Sequence, residues 1–229
     1  MSAQQASHPA TATRARGASG VQLGEEEARL RVLAGAVEVF SGGGVRGASV
    51  ENILGAAGVS RRTFYRLYQG KEEVIVALYR PGTDRLLDAC RLAMSEESDP
   101  IQQIHRCIDA HLLNAQELGR LVFVLGGEAQ RQESALTVPR MEVHAQLVAL
   151  LMSSAAATTK NIDEWLVRGL VLALEGVTRL ALEEGDEGRN VSDESIERAR
   201  RVMVRMATTA LMGEGTGVTA LPTHDPATD

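Results

Sequence analysis

The residues with the clearest chemical potential lie between positions 60 and 67, where three arginines follow a serine in one short segment. If this segment is helical, about 100° separates successive side chains, so charged and phenolic groups share one side and apolar groups the other. The first side carries Arg61, Arg62, Tyr65 and Arg66. A guanidinium can pair bidentately with a phosphate, or with O6 and N7 of guanine. The spacing therefore indicates a surface that contacts nucleic acid.

Two short helices joined by a tight turn would position that surface. Ser49 is a favourable N-cap for a first helix, and Gly58 can adopt the left-handed conformation that ends it. Ser60 then caps the second helix, whose Phe64 and Leu67 would pack against the first. This order is typical of a helix-turn-helix, in which the N-terminal residues of the second helix enter the major groove.

The same stretch resembles the DNA-binding signature of the TetR family of transcriptional regulators. The matching residues are Ala57-Gly58-Val59-Ser60, Thr63-Phe64-Tyr65, Tyr68, Lys71-Glu72-Glu73 and Val74. Upstream, the resemblance continues through Phe40, Gly44, Ser49, Val50 and Ile53. The rest of the chain shows only a compatible helical pattern.

The resemblance implies a homodimer, mostly a repressor, whose all-α C-terminal domain binds a small molecule and thereby releases double-stranded DNA. The base contacts that it implies come from Arg61, Arg62 and Thr63. The phosphate contacts that it implies come from Ser49, Ser60, Tyr65 and Lys71, and Arg66 joins them from the same side of the helix.

Two residues depart from the family pattern. Leu67 stands where the family often has a polar or aromatic residue that touches the DNA backbone, so one phosphate contact is expected to be missing. Glu51 is acidic on a helix that is expected to face DNA. Its carboxylate could repel phosphate or accept a hydrogen bond from cytosine N4.

Charge is distributed unevenly along the chain. The net charge is −6, yet residues 1–80 hold 10 Lys and Arg against 7 Asp and Glu, whereas residues 81–229 hold 14 against 23. Positive charge is therefore concentrated on the part that contains the predicted helix-turn-helix.

Composition also bounds the class of protein. With 229 residues, 44% of them apolar, the chain can bury a sizeable core. It has neither a run of about 18 uncharged apolar residues nor an apolar signal segment, so we expect a cytoplasmic protein with no membrane partner. Cys90 and Cys107 lack metal-ligand spacing and are expected to be buried free thiols.

Polar residues in the second part leave two alternatives open. His105 and Asp109 are one helical turn apart and could share an ion, but His111 lies about 240° around the helix from His105, which favours a polar pocket lining over a metal site. No catalytic motif and no cofactor is predicted. One alternative is an all-α enzyme that uses His105, Asp109, His111 or His144. The other is a helical interaction module whose Arg61-to-Arg66 face is covered by protein.

Hydrophobic periodicity predicts an all-α fold of about nine helices with no convincing strand. We expect a disordered arm at 1–23, a helix-turn-helix domain at 24–70, a linking helix with a larger helical domain at 71–212, and a disordered tail at 213–229.

Several breaks are expected within the helical pattern. The first helix should stop at residues 41–44, and Pro81-Gly82 should kink or break the linking helix. Residues 119–127 should form a short separate helix. Residues 128–154 should form a longer one that Pro139 interrupts.

The longest apolar stripes lie in residues 162–180 and 196–211 and are expected to pair with their copies in a homodimer. Small residues in the first stripe allow helix axes to approach closely. The expected interface residues are Trp165, Gly169, Ala173, Gly176, Val202 and Met206. A two-fold dimer predicts a palindromic operator with half-sites about 34 Å apart.

An effector pocket is expected inside the larger domain. Aromatic, sulfur-containing and imidazole side chains suit a mostly apolar cavity with a few orienting polar groups. The candidate lining residues are Cys107, His111, Phe123, Met141, His144 and Trp165. The linking helix should couple this pocket to the DNA-contacting helix.

Overall fold

The computed structural model describes residues 24–156 and 162–212, which form eight helices and no strand. The helices are α1 (Glu25–Gly47), α2 (Val50–Ala57), α3 (Arg61–Leu67), α4 (Lys71–Ser95), α5 (Pro100–Ala129), α6 (Thr137–Ala155), α7 (Glu164–Glu184) and α8 (Asp193–Met212). The predicted all-α fold, with an N-terminal helix-turn-helix and a larger helical domain, is confirmed. The expected arm and tail lie outside the described residues.

Helices α1 to α3 pack around a small core that includes Phe40, Ile53 and Phe64, all of them fully buried. A Cβ atom on Gly35 would lie 2.7 Å from the backbone nitrogen of Ala57, so glycine is what allows α1 and α2 to approach so closely. Helix α1 is interrupted at Gly44, the last residue of the stop that was expected at 41–44. It bends at this residue, where φ is 74° and ψ is 166°, and continues to Gly47.

Helix α4 runs unbroken from Lys71 to Ser95 through Pro81, contrary to the expected break. Pro81 is exposed, so its missing N–H costs a hydrogen bond on the solvent side. Buried apolar residues on both sides of it, Ile75 before and Leu86 after, anchor the two halves of the helix.

Helix α5 is the element that joins the two parts of the molecule. Asp99 caps it by accepting a hydrogen bond from the Ile101 nitrogen at 2.8 Å. Gly119 is non-helical, with φ 33° and ψ −102°, and it divides α5 into two helical halves; the second half corresponds to the short helix that was expected at 119–127. Ile108 in the first half packs in the core of the larger domain, whereas Leu125 in the second half packs in the core of α1 to α4.

Helix α6 begins later than expected. Residues 130–136 form turns rather than helix. Pro139 lies in the first turn of α6, where a backbone N–H has no intrahelical acceptor, so the proline does not interrupt the helix.

The larger domain has two further apolar clusters. One joins α5, α6, α7 and α8 around side chains such as Leu112, Val167 and Met203. The other contains Cys90 and Cys107, which are free and buried as predicted. Among residues 24–156 and 162–212, no helix has both the length and the apolar character that a bilayer span requires.

Candidate functional site

Helix α2, which leads into the turn before α3, is capped at both of its ends. The Asn52 nitrogen donates to Ser49 Oγ at 3.2 Å, and the Ser49 nitrogen donates to Asn52 Oδ1 at 2.9 Å, so both ends of a capping box are formed. Gly58 ends α2 in the left-handed conformation, with φ 62° and ψ 32°. This backbone sets the direction in which α3 leaves the turn.

Helix α3 presents its basic side outward. Ser60 caps it by accepting a hydrogen bond from the Thr63 nitrogen at 3.0 Å. Phe64 and Leu67 face the core. The exposed side chains are Arg61, Arg62, Tyr65 and Arg66. Leu67 is buried, so its side chain does not lie on this exposed side of α3.

Three of the expected DNA-contacting hydroxyl groups are occupied within the protein. Ser49 and Ser60 act as helix caps, and Thr63 Oγ1 lies 2.8 Å from Ser60 Oγ. Thr63 is also half-buried. Their predicted contacts with DNA would therefore have to share these hydroxyl groups with the caps.

Glu51 and Arg61 form an ion pair between α2 and α3. Arg61 Nη2 donates to Glu51 Oε1 at 2.5 Å, and more than half of each side chain is exposed. An exposed pair of this kind contributes about 0–1 kcal/mol to stability. Its importance lies in where it holds the first arginine of α3.

Lys71 lies under the turn between α1 and α2 rather than on the open face. Its ammonium donates to the carbonyl oxygens of Val45 at 3.0 Å and Ala48 at 2.8 Å, at the end of α1. Two of its three hydrogens are therefore used inside the protein. The predicted phosphate contact would have to use the third.

A second candidate site is a cavity of about 190 Å³ inside the larger domain. It is lined mainly by apolar side chains from α4, α5, α6 and α7, with one residue, Met203, from α8. Four of the six expected pocket residues line it: Cys107, His111, Phe123 and His144.

The other two expected pocket residues, Met141 and Trp165, do not line the cavity. Met141 is 63% exposed on the outer side of α6, and Trp165 is 82% exposed. The cavity lining on α7 begins at Val171, so Trp165 lies about 9 Å earlier along the helix axis. Assigning Met141 and Trp165 to the pocket was therefore wrong.

A buried ionic cluster borders the cavity around Glu175. Arg140 donates to both of its carboxylate oxygens, at 3.0 Å from Nε and 2.5 Å from Nη2, and His144 Nε2 lies 3.4 Å away. Burial alone would raise the pKa of Glu175, but the hydrogen bonds from His144 and Arg140 outweigh it and lower the pKa to about 2. Glu175 is therefore ionised and fully paired.

Neutral polar side chains also line the cavity, among them His111, Thr178 and Tyr79. Burial lowers the pKa of His111, with a smaller opposing effect from Glu175, so the ring is uncharged near neutral pH. Its Nε2 lies 2.8 Å from Thr178 Oγ1, which itself lies 3.1 Å from the Leu174 carbonyl oxygen. Burial, followed by the charge of Glu175, raises the pKa of Tyr79 to about 12.

The expected interface residues lie on or beside an exposed apolar face of α7. Trp165, Leu172 and Leu180 on this face are exposed by 82%, 51% and 61%. Gly169 and Gly176 lie between them, and a Cβ atom on either would meet nothing within 4 Å. On α8, Val202 is 42% exposed, whereas Met206 is half-buried, as is Ala173 on α7.

Of the four residues that an all-α enzyme could use, His111 and His144 line the cavity, whereas His105 and Asp109 do not. Asp109 pairs with Arg200 at 2.6 Å, and His105 Nε2 is buried without a hydrogen-bond partner. No three His, Cys, Asp or Glu side chains of the described residues converge as a metal site would require.

Glu175, Tyr79 and Thr178, which line the cavity, and Arg140, which pairs with Glu175, were not predicted from the sequence. Arg140 and Glu175 are 35 residues apart on different helices, so no local spacing connects them. Only the packing of α6 against α7 brings this pair together.

The exposed basic side of α3, held by a capped turn, defines a helix-turn-helix DNA-binding protein. Residues 32–78 match the family described as bacterial regulatory proteins, tetR family. Over 91 residues the chain is 30% identical to the HTH-type transcriptional activator FasR of Mycolicibacterium smegmatis, and the match covers 40% of this chain and 42% of that protein.

Solved structures with the same fold cover most of the chain. The fatty acid degradation regulator FadR from Bacillus halodurans gives a TM-score of 0.66 at 19% identity, over 83% of this chain and 97% of that one. A TetR-like transcriptional regulator from Rhodococcus sp. RHA1 gives a TM-score of 0.64 at 20% identity, over 82% and 97%. Residues 32–78 therefore carry the DNA-binding domain of the TetR family, and the chain has the fold of TetR-like regulators of known structure.

Proposed function

We propose that the protein is a homodimeric repressor that binds a palindromic operator in the cytoplasm and leaves it when a small molecule occupies the cavity. The observation that carries this proposal is that α4 contacts both sites. Its first residue, Lys71, is bonded to the end of α1, and Leu78, Tyr79 and Leu86 farther along line the cavity. A ligand that moves α4 would therefore move α3.

A second link between the sites runs through Arg120. Its Nε donates to the Ser41 carbonyl oxygen of α1 at 3.0 Å, and its Nη1 pairs with the Glu187 carboxylate between α7 and α8. The guanidinium lies 5.6 Å from the ring centroid of Phe123, a cavity residue. Movement of Phe123 on ligand binding would thus reach the DNA-binding helices and the loop beside the proposed dimer face.

The DNA contacts follow from the exposed side of α3. We assign base contacts to Arg61, Arg62 and Thr63 at the start of the helix, because this end enters the major groove in helix-turn-helix proteins. Phosphate contacts are assigned to Ser49, Ser60, Tyr65, Arg66 and Lys71. The Arg62 and Arg66 side chains are exposed and make no ion pair within residues 24–156 and 162–212, which leaves their charge available to DNA.

The homodimer is proposed to form through the exposed apolar face of α7 with α8. The open glycines at 169 and 176 leave room for the helices of a second copy. Gly169→Glu should convert the dimer to monomer in sedimentation and lower operator affinity by about 100-fold or more, because one helix-turn-helix covers a single half-site. Ala149→Glu, an exposed change on α6, is the matched control. An unchanged dimer in Gly169→Glu would place the interface elsewhere.

The test of the whole proposal is an electrophoretic mobility shift on DNA upstream of the protein's own gene, with and without metabolites that raise its thermal stability. By linkage, a ligand that weakens operator binding tenfold, about 1.4 kcal/mol, must itself bind tenfold more weakly to the operator complex. A stabilising ligand that leaves operator affinity unchanged would disprove the coupling.

Activation is the second candidate, favoured by the name of the FasR relative. Deleting the gene should raise a reporter driven by the operator promoter if the protein represses, and lower it if the protein activates.

A further inference from the structure

The charged groups of the cavity lining are paired inside the protein. Glu175 is held by Arg140 and His144. Arg179 pairs with Glu183 at 3.0 Å, and its guanidinium lies 4.4 Å from the ring centroid of Phe123. A carboxylate or an ammonium group entering this cavity would therefore find no free counter-charge among the described residues. Without one, leaving water is strongly unfavourable for an ion.

Several polar groups of the lining are available to a ligand, among them the Asn114 amide, the Tyr79 hydroxyl and one ring nitrogen of His111. His111 uses Nε2 to bond Thr178, whereas its Nδ1 makes no hydrogen bond within residues 24–156 and 162–212. The His111 ring is buried and lines the cavity. His105 on the same helix differs, because its unpartnered Nε2 does not border the cavity.

The bond to Thr178 allows His111 to serve either kind of ligand group. If Nε2 donates to Thr178, the threonine hydroxyl donates to the Leu174 carbonyl and Nδ1 is an acceptor. If Thr178 rotates and donates to Nε2, then Nδ1 carries the hydrogen. A ligand hydroxyl suits the first arrangement, and a ligand carbonyl suits the second.

Most of the remaining wall is apolar, and its aliphatic part is extended. Lining residues follow α5 from Cys107 to Gly127, and they include Ile108, Leu118, Leu121 and Leu125. Such a wall favours a molecule with a substantial hydrocarbon part.

We infer that the effector of this cavity is an uncharged, mainly aliphatic molecule whose hydroxyl or carbonyl group binds Nδ1 of His111. This inference rests on the effector-binding function proposed above and names the chemical class of the ligand.

Three probes that share one hydrocarbon chain test the class: decanol, decanoate and decylammonium. Each is titrated against the full chain without DNA and followed by calorimetry. Decanol should bind at least about tenfold more tightly than either ion, because each ion lacks a counter-charge in the cavity. Decanoate or decylammonium binding as tightly as decanol, or no binding of decanol, would overturn the inference.

Two matched variants test the role of His111. His111→Phe keeps an aromatic ring and removes the nitrogen, and it should weaken decanol binding roughly two- to tenfold, the effect of one hydrogen bond. Decane binding should not change, and His105→Phe should leave decanol affinity unaltered. An equal loss for decane and decanol would show a packing role instead and overturn the assignment of His111.

Operator release is measured separately, so the two proposals fail in different ways. Decanol that binds through His111 without releasing the operator contradicts the proposed effector function and supports the ligand class. Release of the operator by decanoate, with tighter binding than decanol, supports the proposed function and overturns the ligand class.

Discussion

The DNA-facing side of α3 and the cavity of the larger domain treat charge in opposite ways. On α3, Arg62 and Arg66 point to solvent with no ion pair inside the described residues. Around the cavity, Arg140 and Glu175 are mostly buried and neutralise each other. The first arrangement attracts a polyanion from water, whereas the second keeps a low-dielectric chamber free of net charge. Arginine therefore serves binding at one site and the fold at the other.

The sharpest test of this comparison is Arg140→Ala, which should lower the free energy of unfolding by roughly 2–4 kcal/mol. It would leave the Glu175 carboxylate, only 25% exposed, without its guanidinium. Urea denaturation at neutral pH measures the loss. The control is Arg80→Ala, which breaks the exposed pair with Glu142 and should cost below about 1 kcal/mol. Equal losses would contradict a special role for the buried pair.

The contribution of the Arg140–Glu175 pair to stability should depend on pH in the acid range. The pKa of Glu175 is about 2 in the folded state against an ordinary value of 4.5, so the folded carboxyl group has the lower pKa. Its contribution to stability is therefore present above about pH 4.5 and is lost as pH falls towards 2. The stability difference between wild type and Arg140→Ala should shrink over that interval. A difference that stays constant would show that Glu175 is not the titrating group.

Arg62→Ala should show the opposite pattern. It should weaken specific operator binding by about 1–3 kcal/mol and leave the free energy of unfolding within about 0.5 kcal/mol of wild type. Fluorescence anisotropy on labelled operator measures the first quantity, and urea denaturation measures the second. Arg106→Ala, which breaks an exposed pair on α5, is the control and should change neither by much. If Arg62→Ala leaves operator affinity unchanged, Arg62 does not contact the DNA.

The sequence predicted the helix-turn-helix well because its determinants are local. Ser49, Gly58 and Ser60 act within three or four residues, so their spacing is enough to place α2 and α3. The cavity depends on Arg140 and Glu175, which meet only after α6 has packed against α7. No spacing rule spans that distance.

Amphipathic patterns also gave wrong predictions of side-chain burial where the sequence did not show which element packs against the helix. The helical spacing of Leu30, Leu33, Val37 and Phe40 predicts one buried stripe on α1, yet Leu30 is 62% exposed. The contact between α1 and α2 is made instead by small residues such as Gly35 and Ala57. The position of Trp165 on the apolar stripe of α7 was compatible with a pocket residue and with an interface residue. Its high exposure and its distance from the cavity show that it is not a pocket residue.

Lys71 combines the two roles of charge compared above. Its ammonium group stabilises the fold through hydrogen bonds and, by our proposal, also contacts a DNA phosphate. Lys71→Met should lower the free energy of unfolding by about 1 kcal/mol, through loss of hydrogen bonds to Val45 and Ala48. The substitution should also weaken binding to all DNA sequences alike. The slope of log affinity against log salt concentration should become shallower by about 1. A stability loss with an unchanged salt slope would assign Lys71 to the fold alone.

The smallest expected effect, and the finest test of the charge comparison, concerns the pair of Glu51 with Arg61. This ion pair is the one place on the DNA-facing side where an arginine is held by the protein. Glu51→Gln removes a negative charge near DNA, so affinity should rise for every sequence. It also releases Arg61, so discrimination between the operator and a version altered at the base that Arg61 contacts should fall about two- to fivefold, below about 1 kcal/mol.

The control for this test is Glu38→Gln, which removes the same charge from α1 without touching Arg61. Competition between the two DNA sequences at one salt concentration separates the two effects. Glu38→Gln should leave the ratio of affinities unchanged, whatever it does to affinity itself. If Glu51→Gln also leaves the ratio unchanged, Glu51 acts only as a nearby charge. If the ratio falls, Glu51 positions Arg61 for base recognition. An ion pair within the protein would then contribute to DNA specificity, even on a surface whose other arginines are unpaired.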